Sequence, residues 1–218
     1  MRTTDVAHTA HGTPEGGRSV LLLHGWQNRR PEGHWQRVLA DGLTARGHQV
    51  RHPQLPDPDE PRLDAWLATL DRELAALDGT ERTVVCHSLG VLLWLHAAAR
   101  GVVSRPVDRV LLVAPPSASL LAEHPEIAGF APPELGPGLP AAAARSTRLV
   151  CGDVDPYCPE GAVAEYAEPL GIPAVVLPGA GHISMTEGYG SWPAVLAWCL
   201  DPSAPLTARP GEGDAGAM

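Results

Sequence analysis

A serine, an aspartate and a histidine follow one another along this chain, each just past the end of a short apolar run. Ser88 comes after Val84-Val85-Cys86-His87 and before Leu89-Gly90, which opens the helix-period run Val91 to Ala98. Strand, sharp turn and helix in that order hold a serine oxygen out as a nucleophile above a parallel sheet. The G-x-S-x-G pattern is met in part: Cys86 stands at the first glycine, and cysteine is small enough for the turn. The plainer alternative for Ser88 is an ordinary N-cap of the following helix. Two later segments favour chemistry. Thr147 to Cys151 leads into Gly152-Asp153-Val154-Asp155-Pro156, and Ala174 to Leu177 leads into Pro178-Gly179-Ala180-Gly181-His182. Nucleophile, acid and base in this chain order is the α/β-hydrolase arrangement.

The residue types suit acyl transfer. A serine hydroxyl is a poor nucleophile at neutral pH and needs a base within hydrogen-bond reach. Imidazole serves as that base near neutrality. His182 then takes the Ser88 proton and later gives it to the leaving group, while Asp155 fixes the tautomer of the ring. Asp153 competes for the acid role. Asp155 is preferred because it stands further beyond the strand end, where a loop side chain can turn to the histidine; Asp153 reads as a turn or capping residue. Among the ten histidines, only His182 has the required place. His87 reads as structural, with a substrate contact as the alternative. His48, His52, His96 and His124 have no partner at ligand spacing.

An oxyanion hole needs two backbone N–H groups. In this architecture they come from the loop after the first strand and from the residue after the nucleophile. Those positions are Trp26, in His24-Gly25-Trp26-Gln27-Asn28, and Leu89. The Trp26 side chain also suits a hydrophobic wall of the pocket.

Strands and helices alternate around these residues. Strands are predicted near 19–24, 48–52, 82–87, 108–114, 146–151 and 173–177, and helices near 34–46, 61–77, 89–100, 159–168 and 191–200. Pro61 opens a helix whose Leu63, Trp66, Leu67, Leu70, Leu74 and Leu77 form a core stripe. The strand runs are continuously apolar, as in a parallel sheet covered on both faces. Active sites then lie at the carboxyl ends of the strands. The segment 115–145, rich in Ala, Pro and Gly, reads either as a flap over the pocket or as a proline-stiffened connector; it is too short for a large cap domain. Residues 1–17 form a polar, flexible leader, 18–202 a single domain, and 203–218 a disordered tail.

Composition agrees with one globular domain. The chain has 218 residues, 44% of them hydrophobic, and a net charge of −9. That charge argues against a nucleic-acid or anionic-membrane partner. All sixteen basic residues are arginine, so no lysine is there to form a Schiff base. No apolar run approaches membrane-spanning length. The cysteines Cys86, Cys151, Cys158 and Cys199 form no metal pattern. A Cys151–Cys158 bridge is conceivable, but reduced thiols in a cytoplasmic protein are the simpler reading.

Several strings also occur in the order of one known group. They are Gly33-His34-Trp35-Gln36, the Trp66 helix, His87-Ser88-Leu89-Gly90, Ala114-Pro115-Pro116, Asp155-Pro156-Tyr157-Cys158, Gly181-His182-Ile183 and Gly188-Tyr189-Gly190-Ser191-Trp192-Pro193. From about residue 19 to 200 the chain resembles the retinoblastoma-binding protein 9 family of small serine hydrolases. That resemblance implies a minimal α/β-hydrolase core of about six mainly parallel strands without a cap domain, and Ser88, Asp155 and His182 as the triad. It implies esterase or peptidase-like activity on small molecules and no metal or organic cofactor. Cys86 and the long 115–145 segment depart from the pattern, so substrate preference is not carried over.

The function expected is a serine hydrolase that cleaves a small ester, thioester or amide acyl substrate through an acyl-enzyme on Ser88. The alternatives are an acyl transferase or cyclising thioesterase with the same triad, and a non-catalytic binding protein that kept the fold.

Overall fold

The strand runs of the sequence become one sheet. A computed structural model describes residues 17–209; the leader before Gly17 and the chain beyond Arg209 lie outside the described residues. The strands are β1 (Arg18–Leu23), β2 (Gln49–Arg51), β3 (Glu81–His87), β4 (Val107–Val113), β5 (Ala144–Gly152) and β6 (Ala174–Leu177). Their order is β2-β1-β3-β4-β5-β6, and every pair is parallel. β1 alternates its side chains between two cores. Leu21 and Leu23 join one, with the helices α2 (Leu63–Ala75) and α3 (Leu89–Ala99). Val20 and Leu22 join the other, with α1 (Trp35–Thr44) and α7 (Pro193–Leu200). Both faces are covered, which is why the strands lack polar alternation.

The chain leaves β1 for the β2 edge, then returns to place β3 on β1's other side. The carboxyl ends of β1 and β3 therefore flank the point where the strand order reverses, the usual place for a crevice. Here the backbones come very close. A Cβ on Gly25 would lie 2.7 Å from Ser88 Cβ, and one on Gly90 would lie 2.8 Å from the carbonyl oxygens of Leu23 and His24. Gly90 is the second glycine of the turn pattern, and it is indispensable for steric reasons. The first glycine position is not. Cys86 lies within β3, fully buried in the core that α2 and α3 cover.

The irregular segment 115–145 is ordered. It contains α4 (Ala118–Glu123), a 3₁₀ turn at Ala128–Phe130 and α5 (Gly138–Ala143). Ser117 caps α4, its hydroxyl accepting from Leu120 N at 3.1 Å, and Phe130 packs edge-on against Trp66 with centroids 5.1 Å apart. The helix expected at 159–168 is present over 162–170, π-helical at Val163–Ala167 and running into α6 (Glu168–Leu170). Gly161 at φ 90° breaks the chain before it and Gly171 at φ 64° ends it.

All four cysteines are free thiols, so Cys151 and Cys158 are not bridged. Residues 203–209 of the expected tail pack on the domain. Leu206 is buried, Trp192 Nε1 donates to Thr207 O at 2.7 Å, and Arg209 Nε donates to Glu187 O at 2.8 Å. Among the described residues no helix is long and apolar enough to cross a membrane.

A methyl at Gly90 has to displace backbone, whereas one at Gly129 meets nothing within 4 Å. Gly90→Ala is expected to lower unfolding stability by about 2 kcal/mol or more, and Gly129→Ala to change it by under about 0.5 kcal/mol. Urea unfolding midpoints check this; equal effects would contradict the packing described.

Candidate active site

Ser88 is the residue between β3 and α3, and its backbone is strained. It has φ 53° and ψ −126°, a region that non-glycine residues adopt only when the surroundings impose it. Its N–H donates to Val113 O at 2.9 Å, at the end of β4. The side chain makes no capping hydrogen bond, which sets aside the N-cap alternative. Instead, Ser88 Oγ lies 3.0 Å from His182 Nε2.

His182 belongs to the loop after β6. Trp35 Nε1 donates to the carbonyl of Ile183 at 2.9 Å, and His87 Nε2 lies 3.0 Å from the carbonyl of His182 itself. On its far side, His182 Nδ1 is 2.8 Å from Asp155 Oδ2 and 3.0 Å from Oδ1. Both residues are buried. A carboxylate can only accept, so Nδ1 carries the proton, the Nε2 lone pair is free, and the Ser88 hydroxyl donates to it. Asp153 goes elsewhere: its Oδ1 accepts from Gly179 N at 2.8 Å and ties the β5 loop to the β6 loop.

Trp26 and Leu89 line the same cavity of about 380 Å³ as Ser88 and His182. Leu89 is the first residue of α3, so its N–H has no acceptor within the helix. The Trp26 loop is held by two bonds across to the segment before α2. Gln27 N donates to Pro58 O at 2.8 Å, and Trp26 Nε1 donates to Asp59 O at 3.0 Å. Pro116, Leu120 and Ile127 bring the 115–145 segment into the cavity wall. The one cation in the lining, Arg29, is ion-paired with Asp59.

Three further histidines surround this centre, and the sequence reading gave no role to two of them, His24 and His34. His24 is wholly buried at the end of β1. Its Nδ1–H donates to Gly25 O at 2.8 Å and its Nε2 accepts from Leu55 N at 2.9 Å. Burial above all, with Arg30 adding, lowers its pKa to about 4 against the Gly25 bond. His34 caps α1, its Nδ1 accepting from Gln36 N at 3.2 Å. Burial, then His24 and His182, lower its pKa to about 4. Burial, then His182 and His34, push His87 well below its usual range. The neighbours of the Ser88–His182 contact are therefore neutral imidazoles. A cue to His24 was present: it immediately precedes the glycine that touches Ser88. Burial also raises the Cys86 thiol well above its ordinary value, so no thiolate competes beside the serine. Among the described residues no group of three or more His, Cys, Asp or Glu is arranged to hold a metal ion.

A family model described as serine hydrolase matches residues 20–200. No curated protein sequence matches the chain. Among solved structures, the ydeN gene product of B. subtilis has a TM-score of 0.68 at 23% identity, covering 83% of this chain and 95% of its own. A protein from Pectobacterium atrosepticum described as YdeN-like has a TM-score of 0.67 at 19% identity, covering 84% and 90%. Est1E from Butyrivibrio proteoclasticus has a TM-score of 0.56 at 18% identity, covering 88% and 90%. At these identities the likeness carries the fold, which is the α/β-hydrolase fold without a large cap.

His24 and His34 have folded-state pKa values near 4 against 6.5 for the ordinary side chain. From pH 6.5 down toward 4 the unfolded chain takes up protons there that the folded chain refuses, so stability falls as pH falls through that window. The urea midpoint is expected to drop between pH 7 and pH 5. His34→Asn, which can still cap α1, should drop less. A flat or rising midpoint over that range would contradict this electrostatic picture.

Proposed function

The chain belongs to the serine hydrolase family and is a hydrolase; from that premise we propose that it cleaves a small, uncharged ester, thioester or amide through an acyl-enzyme on Ser88. His182 is the base and Asp155 the acid that orients it. Within the family we read it as a retinoblastoma-binding protein 9-like member. Support for that finer reading comes from Asp155-Pro156-Tyr157, Gly181-His182-Ile183 and Trp35, which carry the shared strings and meet at the loop that holds His182.

The observation that carries the proposal is the chain of contacts from Ser88 Oγ to His182 Nε2 at 3.0 Å and from Nδ1 to Asp155 at 2.8 Å. Ser88 Oγ bonds to the substrate carbonyl carbon as its proton moves to His182 Nε2. The C=O electron pair moves onto oxygen, and the N–H groups of Trp26 and Leu89 receive that oxyanion. Collapse restores the carbonyl and expels the leaving group, which takes the proton from Nε2. Water then repeats the sequence against the acyl-enzyme and frees Ser88. Asp155 stabilises the transient imidazolium.

The lining supports an apolar acyl group. Leu89, Pro116, Leu120 and Ile127 form an uncharged wall beside Ser88. Burying an unpaired carboxylate against such a wall is costly, so a neutral acyl chain is the substrate class that fits.

Hydrolysis of short neutral acyl esters tests the reading. Ser88→Ala is expected to abolish turnover above background. Asp155→Asn should lower kcat by on the order of 10³-fold or more, while Asp153→Asn should stay within about threefold, since its carboxylate bonds only a loop amide. Undiminished turnover by Ser88→Ala, or equal losses in the two aspartate variants, would contradict the proposal.

A further inference from the structure

The imidazole of His182 has an aromatic ring lying over it. The Tyr157 and His182 ring centroids are 4.3 Å apart with planes inclined by 38°, closer than His87, whose ring is 5.2 Å away. Tyr157 is held by the same turn that presents the carboxylate. Its N–H donates to Asp155 Oδ1 at 2.8 Å, and its carbonyl accepts from Ser117 N at 2.8 Å. The backbone that carries the ring is therefore tied to both Asp155 and the start of α4. Yet Tyr157 is 42% exposed. Hydrophobic burial is a weak reason for an aromatic there, so its position over His182 calls for another one.

The face of an aromatic ring carries a negative quadrupole, and a cation within about 6 Å of the ring centroid is attracted to it. A neutral imidazole gains little from that face; an imidazolium gains more. His182 becomes an imidazolium only while it holds the Ser88 proton. The other titratable groups near it are Asp155 on Nδ1, His87 from the end of β3, and His34 from the start of α1, which packs against His87 and feels the charge of His182. Asp155 favours the cation, and the two neutral histidines add no competing charge.

We infer that Tyr157 is a positioning residue of the base, whose ring, tilted over His182, favours the protonated imidazole and so eases transfer of the proton from Ser88 Oγ. The inference rests on the reading of His182 as the base. It assigns to the tyrosine's ring, rather than its hydroxyl, a share in every acyl-transfer step.

The test is the pH dependence of kcat/KM on a neutral acyl ester for wild type, Tyr157→Phe, Tyr157→Leu, Tyr157→Met and His182→Ala. Phenylalanine keeps the face and should stay within about twofold at every pH. Leucine and methionine keep an apolar cover but no ring. They should lower the plateau about three- to tenfold and move the acid-side midpoint down by roughly half to one pH unit, because the protonated base has lost a partner. Mere uncovering of the ring to water would move that midpoint up, so the sign separates the two roles. An unmoved or raised midpoint in both the leucine and methionine variants, or a phenylalanine variant as impaired as leucine, would overturn the inference. If His182→Ala retains turnover, the base assignment itself fails; if it is inactive while the leucine profile is unmoved, only the role of Tyr157 fails.

Discussion

One imidazole has to lie 3.0 Å from a serine hydroxyl and 2.8 Å from a carboxylate, with each of the three carried by a different strand end. The parallel sheet makes this possible. All six strands point the same way, so β3, β5 and β6 deliver Ser88, Asp155 and His182 to one rim. The same constraint makes the rim crowded. Ser88 hangs on Val113 O at the end of β4. Gly25 and Gly90 give way where β1 passes the serine turn, and Gly152 lies against the backbone of Gly181 beneath the histidine. A side chain at any of these glycines would have to displace another strand's loop.

Around that contact the molecule places neutral groups. His24, His34 and His87 could each have been a cation, and a cation beside His182 would oppose its taking a proton. Burial keeps all three uncharged, and each has a hydrogen bond to backbone, which for His24 and His87 ties one loop to another. His24 joins the Gly25 loop to Leu55, His34 starts α1, and His87 reaches the carbonyl of His182. Electrostatic quiet and loop registration come from the same side chains. The 115–145 segment closes one wall through Pro116, Leu120 and Ile127 and is anchored to α2 by Phe130 against Trp66.

Much of this was legible in the sequence, for identifiable reasons. The strands stood out because residues such as Val20 to Leu23 feed two cores at once and leave no polar gaps. Asp155 was separable from Asp153 by distance past the strand end, and β5 does end at Gly152. The helices α4 and α5 were not visible. Their six-residue spans are too short to show a helical period among Ala, Pro and Gly, although Ser117 was a usable cap signal. The helix expected at 159–168 is found as a helical run over 162–170, but its π-helical middle, between two positive-φ glycines, leaves no mark on the apolar spacing. The histidine shell was hidden for a different reason: a buried neutral imidazole and an exposed one are the same letter, and only packing separates them. Tyr157 could be suspected only after Asp155 was chosen.

The claim on which all else depends is that the Ser88 oxygen is made nucleophilic by His182. Its most direct measurement is covalent capture: the protein is treated with a fluorophosphonate, digested, and the modified peptide located by mass spectrometry. The account predicts a single adduct on Ser88, formed at a rate that falls sharply in His182→Ala. An adduct on another residue, or labelling of Ser88 at an undiminished rate without the imidazole, would contradict it.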